Sequence, residues 1–251
     1  MNICGYIKRL FTVHKCASCR QILSYDSFDD ALCRDCRLAF DVAKTENCPE
    51  CAKAAFECSC QPKTLSSAGS LCLRKLYFYH TDKSNEPQNK MLYFIKRNRS
   101  KRSSLFIAEQ LWQSVSKEIN ALELPLEFFV ITNVPRGRRA VIEYGFDQSE
   151  EICKAFSRVS GVKYSKLLLR KLGGKEQKKL NATQRRKNIK KLIYPNEKSA
   201  ASVEGKYVIL FDDVVTTGAS MAVCLPILRK MGAKGVICCT LANDLKNKRV
   251  I

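Results

Sequence analysis

No stretch of this 251-residue chain approaches the ~20 consecutive apolar residues that would carry a helix across a bilayer, so a membrane span is not expected. The apolar beginning, Ile3–Val13, is too short for a secretory leader and is broken by Lys8 and Arg9. A cytoplasmic chain with reduced thiols is the expectation. Acidic residues are scarce too: Asp+Glu number 24 against 44 Lys+Arg, a formal charge of +20. The sequence pI is about 9.5. A field of that sign favours a polyanion, whether nucleic acid, a phosphorylated small molecule or an anionic membrane surface. A basic face kept for solubility is the alternative.

Cysteine is abundant and unevenly placed. Ten of the 14 cysteines precede residue 73, most of them in close pairs. Cys16-x2-Cys19 and Cys33-x2-Cys36 stand thirteen residues apart. Four thiolates at that spacing satisfy a tetrahedral Zn²⁺ and leave no open position, so the site would be structural. A second set follows, Cys48-Pro49-Glu50-Cys51 and then Cys58-Ser59-Cys60. Its Cys-x-Cys end is unusual, which leaves open that Cys4, Cys72 or His14 supplies a ligand. The two sets suggest two copies of one small unit. Each Zn²⁺ with four thiolates is net −2, so two sites would lower the charge of +20 to about +16. Cys153, Cys224, Cys238 and Cys239 lie in apolar contexts and read as core residues.

The length suits one domain plus a small accessory module, and 45% hydrophobic residues suffice for a core. We place a zinc-ribbon module at 1–70 and an α/β domain at 71–251, with Ser66–Lys75 as a linker or first strand edge. From Leu76 onward strand-like and helix-like segments alternate, the pattern of a parallel sheet with helices on both faces. Helices are expected over Ser104–Asn120, Phe146–Ser160 and Gly218–Met231. Strands are expected over Glu127–Asn133, Tyr164–Leu169, Lys206–Phe211 and Gly235–Leu241. Lys175–Lys191 is helix or mobile loop, and the tail after Asp244 is expected to fray.

The most informative segment is KYVILFDDVVTTGAS. Apolar residues carry the chain through the sheet, and Asp212 and Asp213 emerge at its carboxyl end, where ligands bind in open α/β sheets. Thr216, Thr217, Gly218, Ala219 and Ser220 then open a helix whose backbone N–H groups and dipole make an anion pocket. Acids beside a phosphate pocket suit a ligand that offers hydroxyls to the acids and a phosphate to the loop, as a ribose 5-phosphate does. FDDVVTTGAS resembles the phosphoribosyl-pyrophosphate motif of type I phosphoribosyltransferases. The resemblance implies that Asp212 and Asp213 hold the ribose hydroxyls and help position Mg²⁺, while Thr216–Ser220 wrap the 5-phosphate.

Other segments extend the likeness. Val134-Pro135 with Arg136, Arg138 and Arg139, the stretch Tyr144-Gly145-Phe146-Asp147-Gln148, and the series Arg170, Gln177, Leu180, Arg185 and Asn188 together resemble the ComF family of competence-associated proteins. Tyr144 stands where that family has an arginine and Asp147 where it has an asparagine; both make the site less cationic. The resemblance implies a double zinc ribbon, phosphoribosyl pyrophosphate as ligand, and the handling of incoming single-stranded DNA in natural transformation, in company with other DNA-uptake or recombination proteins. Independently, Arg136, Arg138 and Arg139 follow a strand, and guanidinium forks suit a pyrophosphate. Between Lys163 and Lys191 twelve cations face a single acid, Glu176. That stretch reads as a loop closing on pyrophosphate, a nucleic-acid contact or a solvated helix face. A second basic strip, Arg74–Arg102, carries Lys96, Arg97, Arg99, Lys101 and Arg102 among Tyr77, Phe78, Tyr79, Tyr93 and Phe94. Those rings suit either base stacking or core packing. Two other roles stay open: an active phosphoribosyltransferase acting on a nucleobase or related acceptor, and a non-catalytic phosphoribosyl-pyrophosphate sensor.

Overall fold

The computed structural model of the chain describes residues 12–171 and 192–245. Its centre is a five-stranded, all-parallel sheet in the order β1-β7-β6-β2-β3. The strands are β1 (Cys72–Tyr79), β2 (Phe129–Asn133), β3 (Lys163–Tyr164), β6 (Tyr207–Val215) and β7 (Gly235–Asp244). An antiparallel pair, β4 (Leu168–Arg170) with β5 (Ile193–Pro195), stands apart from it.

The helices follow from the pattern of apolar residues and caps. In order they are α1 (Arg34–Lys44), α2 (Lys63–Ser67), α3 (Pro87–Arg97), α4 (Lys101–Ala121), α5 (Arg138–Tyr144), α6 (Gln148–Ser160) and α7 (Ala219–Lys230). Pro87 opens α3, where its missing N–H costs nothing. Ser100 caps α4 by accepting the N–H of Ser103. Gly161, at φ 80°, ends α6 in the left-handed region that glycine enters without strain.

Successive residues of a strand face opposite sides, and in β6 both sides are apolar. Ile209 and Phe211 join the core formed with α3, α4, α6 and the cysteine-rich segment. Val208 and Leu210 join a second core with α7, Leu65 of α2 and the β4–β5 pair. The sheet is thus covered on both faces, as the alternation of segments predicts, and the cysteine-rich segment precedes it.

Four local readings are revised or sharpened. Tyr164–Leu169 is not one strand: after β3 the Ser165 N–H still bonds the Ile131 carbonyl, but the Leu167 N–H turns back to the Ser165 carbonyl, and β4 pairs elsewhere. Ser66–Lys75, expected as a linker or first strand edge, is divided: α2 ends at Ser67 and the buried first strand, β1, begins at Cys72. Glu127 and Phe128 form a turn of 3-10 helix before β2. Helix α3, with apolar positions Met91, Leu92 and Ile95 on one side, lies inside the Arg74–Arg102 strip, where core packing, the alternative given for its rings, holds for Tyr77 and Phe78. Lys175–Lys191, and the chain from 246 onward, lie outside the described residues. Among the described residues no helix is long and apolar enough to cross a membrane.

Candidate functional site

Strand β6 runs through both aspartates and stops at Val215, so Asp212 and Asp213 sit on regular strand near its carboxyl end. The Asp213 N–H donates to Oδ1 of Asp212 at 3.0 Å, and the Val214 N–H to Oδ1 of Asp213 at 2.7 Å. Thr240 of the neighbouring β7 donates its hydroxyl to the Asp213 carbonyl at 3.0 Å. The free oxygen of Asp213, Oδ2, accepts from Nε2 of Gln148 at 2.7 Å and lies 3.4 Å from Nζ of Lys96. Gln148 opens α6 and Lys96 ends α3, so two helices meet on this one carboxylate. Burial, and then the adjacent Asp213 carboxylate, push the Asp212 carboxyl well above the usual carboxylate range. On the opposite side, burial pulls the Arg170 guanidinium down while the Asp212 charge restores part of it.

The turn after β6 leads through exposed Thr216 and half-buried Thr217 to Gly218, which caps α7 at φ 73°. The Ala219 N–H donates to Oγ1 of Thr217 at 3.4 Å. A Cβ at Gly218 would stand 2.7 Å from Cγ of Leu65, so this corner admits only hydrogen for two independent reasons. Gly218→Ala is expected to cost about 1–2 kcal/mol for the left-handed backbone alone. The Leu65 contact adds to it. Urea unfolding of the variant checks the sum, and a cost near zero would mean that the turn relaxes freely.

Arg136 comes to the site on the loop after β2. Its backbone N–H donates to Oδ2 of Asp147 at 3.1 Å, its guanidinium reaches the Lys96 carbonyl at 3.1 Å and lies 5.1 Å from the Tyr144 ring centre. Arg139 is exposed on α5; Arg138 opens that helix, and its side chain lies outside the described set. Asp147 caps α6 through the N–H groups of Ser149 and Glu150 and holds the Arg136 loop as well. The acid that departs from the ComF pattern therefore works on backbone N–H groups. Of the earlier series, Gln177, Leu180, Arg185 and Asn188 lie outside the described residues.

The sequence reading placed Lys96 in a nucleic-acid strip and assigned Gln148 no role. Nothing local signals that they converge on Asp213, because the contacts span 117 and 65 positions; only the Gln148 segment carried a hint, through its resemblance.

The cysteines form two groups. The sulfurs of Cys16, Cys19, Cys33 and Cys36 lie within 4.8 Å of one another, and so do those of Cys48, Cys51, Cys58 and Cys60. Sulfurs at the corners of a tetrahedron with metal–sulfur bonds of about 2.3 Å stand about 3.8 Å apart. The Cys19–Cys33 and Cys51–Cys58 separations of 3.7 and 3.6 Å match that span, so each group could hold one metal ion. His14 instead bonds the Phe28 carbonyl, and Cys72 is buried in β1; neither joins a group. Cys4 lies outside the described residues.

The first pair of each group closes the same knuckle. The bridges Lys15↔Ile22 and Asn47↔Ala54 stand at equivalent places, and the residue after the second cysteine, Arg20 or Ala52, is left-handed in both. The second pairs differ: Cys33 and Cys36 begin α1, whereas Cys58 and Cys60 lie on an irregular segment along β1. Next to that segment lies Lys75, wholly buried, with Nζ donating to the Cys60 carbonyl at 2.7 Å. Although burial raises the Cys58 thiol, the Lys75 charge and hydrogen bonds from its neighbours bring it down to about 7.

The phosphoribosyl transferase domain family matches residues 169–251. The DNA utilization protein YhgH of Salmonella typhi is 26% identical over 217 residues, covering 82% of this chain and 93% of that protein. The competence protein ComFC of Streptococcus pneumoniae is 25% identical over 234 residues, 88% of this chain and 96% of that protein. The Escherichia coli YhgH is 30% identical over 122 residues, 48% of this chain and 51% of that protein. Among solved structures, a phosphoribosylpyrophosphate synthetase from Mycobacterium smegmatis overlaps with a TM-score of 0.32 and 14% identity, over 68% of this chain and 63% of that one. The chain is therefore, over most of its length, a relative of the DNA utilization protein YhgH and the competence protein ComFC, and it carries a phosphoribosyl transferase-type domain.

Proposed function

We propose that this chain is a ComF-type protein of the cytoplasm that acts in natural transformation, handling incoming single-stranded DNA and binding phosphoribosyl pyrophosphate or a related ribose phosphate. The observation that carries the ligand is the pair Asp212 and Asp213 standing just before Thr216–Ser220, with Lys96 and Arg170 beside them and Arg136 on the Lys96 carbonyl. In this reading the two acids take the ribose hydroxyls together with Mg²⁺. The N–H groups of Thr216, Thr217, Gly218, Ala219 and Ser220 take the 5-phosphate. Arg136, Arg138 and Arg139 face the pyrophosphate. Two zinc ions in the cysteine groups hold the N-terminal region together; an all-sulfur tetrahedral donor set favours that metal. The names of the relatives and the charge of +20 support the DNA role.

The test is single-stranded DNA binding by the zinc-loaded protein at stated salt, with and without Mg²⁺-phosphoribosyl pyrophosphate, while pyrophosphate release is followed in the same samples. Salt-sensitive binding without release, even with nucleobases supplied, is the expected result. Absence of DNA binding, with base-dependent release that Asp213→Ala abolishes, would make the chain a phosphoribosyltransferase instead.

A further inference from the structure

The basic strip that sequence reading places at Arg74–Arg102 does not act as one surface. Arg74 is buried, with its guanidinium on the carbonyls of Phe56 and Glu57, and Tyr77 and Phe78 belong to the core. Of the cations that stay exposed, two lie on α3, and Lys83, Arg99 and Lys101 lie outside it. Lys90, Tyr93 and Arg97 follow one another at helical spacing on its outer side, opposite the buried Met91, Leu92 and Ile95. Together with the first cysteine knuckle they line an open groove of about 360 Å³.

Arg20, Lys90 and Arg97 contribute positive charge, and none of the described lining residues is an acid. Another cleft, of about 400 Å³, lies near α1 and α4, where Asp29, Asp30 and Glu109 balance Arg34, Arg37 and Arg102. The aromatic side chains of the groove are also prepared for contact. Arg20 lies 4.6 Å from the Phe94 ring centre, which fixes the knuckle against the helix. The Tyr93 hydroxyl is held by the Tyr79 hydroxyl at 2.6 Å, yet the side chain is 39% exposed. A part-exposed ring held by its polar end and set among three cations suits a base on a phosphate backbone. An acidic peptide would satisfy the cations and leave Tyr93 idle. A duplex keeps its bases stacked inside.

We infer that the groove between the first cysteine knuckle and α3 seats single-stranded nucleic acid, with a base on Tyr93 and phosphates on Arg20, Lys90 and Arg97. The inference rests on the DNA-handling reading and assigns it a surface.

The experiment is anisotropy of a labelled oligothymidylate and its ribo counterpart over a series of salt concentrations, using the full metal-loaded chain. Tyr93→Leu is expected to weaken binding about tenfold at every salt concentration, the loss of one stacked base. Lys90→Gln is expected to lower the salt slope by about 1. Tyr93→Trp is expected to retain affinity and to show quenching of its added indole as the strand binds. Equal loss for the deoxy and ribo strands marks the shared chemistry; loss confined to one assigns the groove to it. Wild-type affinity and salt slope in both Tyr93→Leu and Lys90→Gln would overturn the groove while leaving DNA handling intact. No binding by the unaltered chain at low salt would overturn both. Displacement by poly-glutamate together with an unaffected Tyr93→Leu would assign the groove to an acidic peptide instead.

Discussion

Lys75→Met is expected to empty the second cysteine group of its metal and to lower the unfolding free energy by about 3–5 kcal/mol. The size follows from placement. Lys75 is wholly buried, with its ammonium on the carbonyls of Cys60 and Leu73, which offer dipoles but no full charge, and beside the Cys58 thiol. A divalent metal with four thiolates is net −2, and such a site beside the ammonium supplies the missing charge. Methionine keeps most of the side-chain volume and removes the cation, so the metal site loses its counter-ion while packing is nearly retained. Metal released to a chromogenic chelator is expected to fall from two equivalents per chain to one. Arg74→Met is the control: it frees the carbonyls of Phe56 and Glu57 but touches no ligand of the site, and both equivalents are expected to remain. Two firmly held equivalents in Lys75→Met would sink the assignment.

Asp212→Asn is expected to stabilise the protein and to disable its ligand site. Burial and Asp213 raise the Asp212 carboxyl in the folded chain, so between the unfolded value near 4 and that raised value the folded state holds the extra proton. The associated stability is present at low pH and declines as pH rises through that interval. Asparagine removes the titration. The melting temperatures of the two proteins should therefore coincide below about pH 4 and diverge upward from it, with the variant higher. Binding needs the ionised acid to accept ribose hydroxyls and to face Mg²⁺. Affinity for Mg²⁺-phosphoribosyl pyrophosphate should rise with pH in the unaltered chain and fall about 10- to 100-fold in the variant. Thermal scans across pH and calorimetric titration read the two effects separately. A variant that melts lower at neutral pH would show that Asp212 is ionised in the folded chain.

Local chemistry made much of this architecture readable in advance. Tyr207–Phe211 announces a buried strand because every side chain is apolar or aromatic, and Thr216–Ser220 announces a helix start because small residues end the run. The cysteine spacing placed the eight sulfurs in their groups, since knuckle geometry is set by near neighbours. Contacts made across the fold were not readable. Lys96 reaches Asp213 only because the end of α3 meets the start of α6 at this carboxylate, and a lysine in a basic strip looks the same whether it faces solvent or a carboxylate. Arg74 and Lys75 fall where a basic strip meets a stretch expected as a linker or first strand edge, and both are buried. Their burial depends on carbonyls from the segment that crosses β1, and no periodicity in β1 itself reveals that cover. Tyr164–Leu169 misled for the opposite reason: the residues favour strand, but a turn at Ser165–Leu167 divides them.

Strand β1 is an end strand of the sheet, and the segment carrying Cys58 and Cys60 lies along its open side, with the Leu73 N–H on the Ser59 carbonyl. A metal held by those cysteines would therefore also keep in place a segment that covers the start of CLRKLYFY, an edge whose backbone could otherwise template pairing with another chain. Stripped of metal, the protein should self-associate through this edge. Arg74 and Lys75, now hydrated, would be the charges left to resist it. Metal supply during synthesis would then set how much chain escapes aggregation, quite apart from any ligand it later binds.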